Sequence, residues 1–240
     1  MKNEKTNNLF LENVNFDNLM QDELKKVREG GKKPNLLLHS CCAPCSSYVL
    51  KRLMDDFNIT VFFYNSNLFP DAEYEKRKEE QIRFIGILNE EYKEKEKLNT
   101  FSHPIFHQTP IIINAVEFNK QEFYDFVKGY ENEFEGSPRC YMCYMLRLNK
   151  TAQKAKLENF NYFCTTLTVS PYKNALWINE VGLILSKKYN IPFLHSDFKK
   201  NDGYKKSIEY SKEYHLYRQD YCGCEFSFNA KVKEIEKKKQ

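Results

Sequence analysis

"LLLHSCCAPCSSYVL", residues 36–50, decides the fold. Leu36, Leu37 and Leu38 form an uninterrupted apolar run, the pattern of a strand buried on both faces. From Ser46 onward the pattern is helical, so Cys41, Cys42 and Cys45 fall on the loop joining the two. In an α/β sheet the loop after a strand's C-terminal end is where ligands are met. Three cysteines in five positions there point to chemistry at that edge.

Working outward, further strands are expected at 59–64 (ITVFFY), 111–116, 161–166 (NYFCTT) and 191–195 (IPFLH). Between them lie helical patterns. Leu50, Leu53, Met54 and Phe57 recur at helical spacing, as do Met145, Leu148, Ala152 and Ala155. Further helices are expected over 71–97, 121–130 and 174–188. This alternation predicts a doubly wound, mainly parallel α/β sheet with helices on both faces and the site at the strands' C-terminal ends. Residues 1–33 read as an N-terminal extension with Phe10, Val14, Phe16, Leu19, Met20 and Leu24 as packing points. Residues 34–240 read as one catalytic domain with a basic tail, KVKEIEKKKQ.

The chain has 240 residues, a net charge of +4 and eight cysteines. Over residues 121–240 there are 20 Lys and Arg against 15 Asp and Glu, which permits a polyanionic partner without requiring one. No apolar run is long enough to span a bilayer and MKNEKTNNLF carries no signal segment, so no membrane partner and a cytoplasmic location are expected. In a reducing compartment clustered cysteines bind metal or do redox chemistry rather than form structural disulfides.

A second cluster lies in "EGSPRCYMCYMLRL". Ser137 is a good N-cap and Pro138 a good first residue, so Cys140 and Cys143 share one face at a helix N-terminus, where the helix dipole favours thiolates. A third, "YCGC", holds Cys222 and Cys224. Two CxxC pairs alone would suit structural zinc, but seven clustered thiols exceed its four ligands and suit an iron–sulfur centre with a second redox task. Cys164, alone in NYFCTT, reads as a core cysteine. No GxGxxG fingerprint for nicotinamide or flavin is present.

Together HSCCAPC, RCYMC and YRQDYCGC, with TTLTVSPYKN and SDFKKNDGYKKS between them, resemble the QueH family of epoxyqueuosine reductases over about residues 34–228. The resemblance implies a HUP-like α/β fold and reduction of the epoxide of epoxyqueuosine at tRNA wobble position 34, the last step of queuosine synthesis. It implies no cobalamin, a 4Fe-4S cluster and an additional mononuclear iron. By motif match the cluster ligands are Cys41, Cys42, Cys140 and Cys143. Cys222 and Cys224 correspond to a redox pair, and with Cys45 they are also candidates for the second iron; the place of Cys45 holds Asp in some members. The implied partners are tRNA carrying epoxyqueuosine and an unidentified electron donor.

Other residues read two ways. Asp197 is a cap or a proton donor beside iron. Lys173, after Ser170 and Pro171, suits a nucleotide phosphate. Tyr172, Tyr204, Tyr217 and Tyr221 suit stacking on an extruded base. Arg77, Lys78, Lys199, Lys200, Lys205 and Lys206 are candidate phosphate contacts, and His39 and His195 read as structural. Two rivals remain at this level: an ATP-dependent tRNA sulfurtransferase or ligase on the same fold, whose SGGxDS-type loop is replaced here by HSCCAPCSS, and a non-enzymatic zinc module that binds RNA.

Overall fold

The computed structural model describes residues 13–97 and 110–239. Four parallel strands, β1 (Asn35–His39), β2 (Asn58–Phe63), β3 (Ile112–Ala115) and β4 (Tyr162–Thr165), make one sheet in the order β3-β2-β1-β4. The helices are α1 (Phe16–Glu29), α2 (Ala43–Leu53), α3 (Asp71–Lys97), α4 (Lys120–Phe126), α5 (Pro138–Leu157), α6 (Ala175–Tyr189), α7 (Gly203–Glu213) and α8 (Glu225–Lys239). No helix among the described residues is long and apolar enough to cross a membrane.

Side-chain alternation along β1 explains the layering. Leu36 and Leu38 enter one core cluster with Val49, Leu50 and Phe84 from α2 and α3. Leu37 enters the other with Leu148, Ala152, Val181 and Leu185 from α5 and α6. Every one of these side chains is buried, so the sheet is covered on both faces, as a parallel sheet requires.

The N-terminal segment adds to the first cluster, since α1 buries Phe16, Met20, Leu24 and Val27 along one face. Leu19, expected to pack, is 42% exposed because it lies on the opposite face. Phe10 lies outside the described residues. The expected strand at 191–195 is reduced to a single parallel bridge between Phe193 and Phe163. Leu194 N–H donates to the Phe163 carbonyl and Phe163 N–H to that of Pro192, but Pro192 has no N–H with which to extend a ladder.

Candidate metal centre

All strands point the same way, so the loops after β1, β2 and β4 and the one after the 193 bridge gather at one edge. Their polar atoms are spliced together. Ser40 N–H donates to the Phe62 carbonyl at 3.0 Å and Asn65 Nδ2 to the Ser40 carbonyl at 2.9 Å. His39, fully buried, places Nδ1 2.8 Å from Thr165 Oγ1 and Nε2 3.1 Å from the Tyr64 carbonyl. Burial, with Arg147 nearby, drives its pKa down to about 3, so it is neutral and structural, as its place at a strand end suggested.

Cys41, Cys42 and Cys45 have their sulfurs all within 4.8 Å of one another, the one such group of three ligand side chains among the described residues. The Cys41 and Cys42 sulfurs are 3.7 Å apart. Cys42 is the N-cap of α2 in extended conformation and Pro44 opens the helix, which turns the loop sharply enough to converge the thiols. Hydrogen bonds from Cys42 and Cys45 hold the Cys41 thiol well below its ordinary pKa, with Arg147 and Lys173 adding to the effect against burial. The same sharing pushes Cys42 up to about 11 and Cys45 well above the ordinary range. Of the three thiols, Cys41 is the one the arrangement favours as thiolate.

The other thiols form a second group. Cys140, Cys143, Cys222 and Cys224 line a small buried void with Asn67, Arg147 and Lys173. Burial pushes Cys143 up to about 12 and raises Cys140 and Cys224. As expected, Ser137 is the extended N-cap and Pro138 begins the helix, but the Ser137 hydroxyl donates to the Phe134 carbonyl instead of accepting from the first turn. Cys140 takes its hydrogen bond from Gly136 N–H at 3.3 Å. Cys164 is buried core, donating to the Leu194 carbonyl at 3.3 Å. All eight cysteines are free.

A cavity of about 510 Å³ opens beside both groups, lined by Cys41, Cys45 and Cys222 together with Ser170, Tyr172, Lys173, Tyr204, Arg218 and Tyr221. Ser170, Tyr172, Lys173, Tyr204 and Tyr221 therefore meet at the site. Tyr172 is 76% exposed at its rim. The Lys173 ammonium donates to the Cys222 sulfur at 3.1 Å instead of standing free at the helix mouth. Burial opposes its charge, but the attraction of Cys222, Tyr144 and Cys41 outweighs this and holds the ammonium well above its ordinary pKa.

Asp197 and Lys199 pair with each other at 2.5 Å, Lys200 is exposed, and none of the three is among the residues lining the cavity. Arg77, expected to be a surface phosphate contact, is 1% exposed and paired to Glu73 at 2.7 Å. The burial follows from its position: Tyr74, Arg77, Gln81, Phe84 and Leu88 recur at three- and four-residue steps on the inward face of α3.

Sequence reasoning missed three polar residues beside the thiols. Arg147 is buried and donates to Asn65 at 2.6 Å and His39 at 3.2 Å, with Cys143 at 4.0 Å. Gln219 donates to the Cys42 sulfur at 3.3 Å. Gln81 accepts from Ser40 at 2.7 Å and from Ser46 at 3.1 Å, so it holds both ends of the first cysteine loop.

A thiol-ligated metal group fits these residues. The donor set is seven free cysteines, and buried cations stand around it. Arg77 Nη2, Gln219 Oε1 and Asn67 Oδ1 are buried beside the thiols without a protein partner, as groups turned toward an additional ligand would be.

The family model for epoxyqueuosine reductase QueH matches residues 36–230. The chain belongs to the QueH family. It is 40% identical to the epoxyqueuosine reductase QueH of Streptococcus pyogenes serotype M1 over 93% of this chain and 81% of that protein. Against the protein of the same name from Staphylococcus aureus the figures are 36%, 95% and 86%; against that from Thermotoga maritima they are 34%, 85% and 97%. QueH membership covers all three cysteine clusters and disfavours both rivals, the ATP-dependent ligase and the zinc module.

Proposed function

We propose that this chain is an oxidoreductase that reduces epoxyqueuosine at tRNA wobble position 34 to queuosine, using a 4Fe-4S cluster together with a thiol pair or an additional iron. The observation that carries this reading is the meeting of seven free cysteines from three distant segments at one end of a parallel sheet, next to a cavity large enough for a modified nucleobase and lined by tyrosines and cations. Cys41, Cys42, Cys140 and Cys143 are the cluster ligands in this reading, with Cys45 beside them as a candidate for the second iron. A cluster held there supplies one-electron transfer.

The chain's own residues account for the rest. Converting an epoxide to an alkene breaks two C–O bonds, takes up two electrons and two protons, and releases the oxygen as water. Two thiols closing to a disulfide give up two electrons and two protons, so Cys222 and Cys224 balance the reaction, and an external electron donor then restores them. Lys173 holds Cys222 at the cavity wall. Tyr172 and Tyr204 present faces on which a base extruded from the anticodon loop can stack, and two cations lining the same cavity, the exposed Arg218 and the half-buried Lys231, suit its phosphates. Asp197 positions Lys199 in the loop beneath.

The test is anaerobic reconstitution with iron and sulfide, followed by reaction with epoxyqueuosine-containing tRNA and a low-potential reductant. Conversion to queuosine, with visible absorption from the loaded centre, is expected. Full loading without conversion refutes the reading.

A further inference from the structure

The inward face of α3 carries a polar run where a helix packed on a sheet would ordinarily be apolar. Glu73, Arg77 and Gln81 are 8%, 1% and 0% exposed and stand one turn apart. Gln81 holds the loop of Cys41, Cys42 and Cys45 through Ser40 and Ser46. Glu73 accepts from Arg77 Nε at 2.7 Å and from the Tyr217 hydroxyl at 3.0 Å, which secures the start of the C-terminal cysteine loop.

Arg77 lies between these two grips, and its free end faces the thiols. A Cβ built on Gly223, the residue separating Cys222 from Cys224, would stand 2.9 Å from Arg77 Nη1 and 3.2 Å from Nη2. Gly223 also has φ +123°, so only glycine lets the loop lie this close to the guanidinium. Nη2 is buried with no protein partner. Glu73 occupies the Nε side, so the ion pair is a buried dipole whose positive end lies against Gly223 of the C-terminal cysteine loop and within electrostatic reach of Cys42 and Cys41.

An ion pair in so dry a place is weak evidence for stability, because desolvation of two charges offsets their attraction. Its orientation has a definite electrostatic consequence, because fixed charge around a thiolate-ligated centre tunes that centre's reduction potential. The geometry points to the Glu73–Arg77 pair as a positioning device that sets the reduction potential of the thiol-ligated centre, with Arg77 raising it and Glu73 lowering it. This rests on the iron–sulfur reading above.

The two partners give opposite signs, which a merely structural role does not. EPR-monitored redox titration of the reconstituted full chain is the measurement. Arg77→Gln removes the positive end and leaves the carboxylate, so the midpoint falls; a tenfold change in the one-electron equilibrium corresponds to about 59 mV. Glu73→Gln keeps an acceptor for Arg77 and Tyr217 while removing the negative end, so the midpoint rises. Arg77→Lys keeps the charge and shifts the midpoint less than Arg77→Gln. Should Arg77→Gln fail to hold iron, the Glu73→Gln and Arg77→Lys midpoints still decide. Shifts of the same sign in the Gln variants, or an unchanged Glu73→Gln midpoint, overturn the assignment. A wild-type chain that takes up no iron–sulfur centre overturns the parent reading as well, and its visible spectrum distinguishes the two failures.

Discussion

The triad at Cys41, Cys42 and Cys45 and the quartet at Cys140, Cys143, Cys222 and Cys224 use the same side chain in opposite ways. The triad comes from five consecutive positions, where the turn into α2 alone brings three sulfurs together. One thiol is held far below its ordinary pKa because its neighbours donate to it. The quartet is assembled from a helix N-terminus and a loop distant in sequence, and burial raises Cys140, Cys143 and Cys224. A local group can lower one of its own thiols by sharing hydrogen bonds. Imported charge from Arg147 and Lys173 serves both groups: it adds to the lowering of Cys41, and in the quartet it works against burial at Cys143 and Cys140.

The largest expected effect breaks the local group. Cys41→Ser removes the sulfur that accepts from Cys42 and Cys45, and visible absorption and turnover are both expected to disappear in iron analysis and the tRNA assay. Next, replacing Cys222 and Cys224 together with Ser leaves most of the 4Fe-4S absorption but abolishes conversion. Retained turnover per folded molecule would assign the pair to pinning the C-terminal loop instead, and loss of the absorption would place it among the cluster ligands.

Lys173→Met tests the imported charge: turnover drops roughly 10- to 100-fold, the range seen when a group holding a ligand is removed, and iron content changes less. Replacing Lys199 and Lys200 with Gln is expected to lower tRNA affinity by no more than about threefold at physiological salt, since Lys199 is already paired with Asp197. A larger loss in a salt-dependent binding assay would move the phosphate path onto that loop.

A separate effect, read in stability and not in turnover or binding, concerns the shared frame of the two groups. His39 has a folded pKa near 3 against an ordinary 6.5, so below pH 6.5 the unfolded chain takes up a proton that the folded chain refuses. Its contribution is complete above pH 6.5 and declines as pH falls toward 3, by about 1.4 kcal/mol per unit. In the metal-free chain, His39→Gln is expected to flatten urea midpoints across that interval; an unchanged slope would mean that His39 is protonated in the fold.

The strands β1, β2 and β4 were legible because buried parallel strands are largely apolar, while β3, an edge strand with Ile112 60% exposed, was legible from its isoleucine run alone. The fifth, around Phe193, has the right composition, but Pro192 has no N–H to extend it backward and Ser196 N–H donates to Asn179 instead of extending it forward. The thiols were legible because clustered cysteine is rare and its spacing reports turn geometry. Arg77 and Arg147 were not, because in a Lys- and Glu-rich chain an arginine in an amphipathic helix reads as solvated surface. The available signal was positional: Arg77 and Gln81 occupy the steps of the Tyr74, Phe84 and Leu88 stripe, where apolar side chains belong. Polar residues in core positions mark a helix that faces something other than core.

The order of the thiols along the chain has a consequence for biogenesis. Synthesis runs from the N-terminus, so β1 and its triad emerge early, α5 follows, and the loop of Cys222 and Cys224 is among the last segments made. Until that loop is made, the triad is present without the four thiols of the other group complete beside it. The three cysteine segments therefore come together only once the last of them has been made.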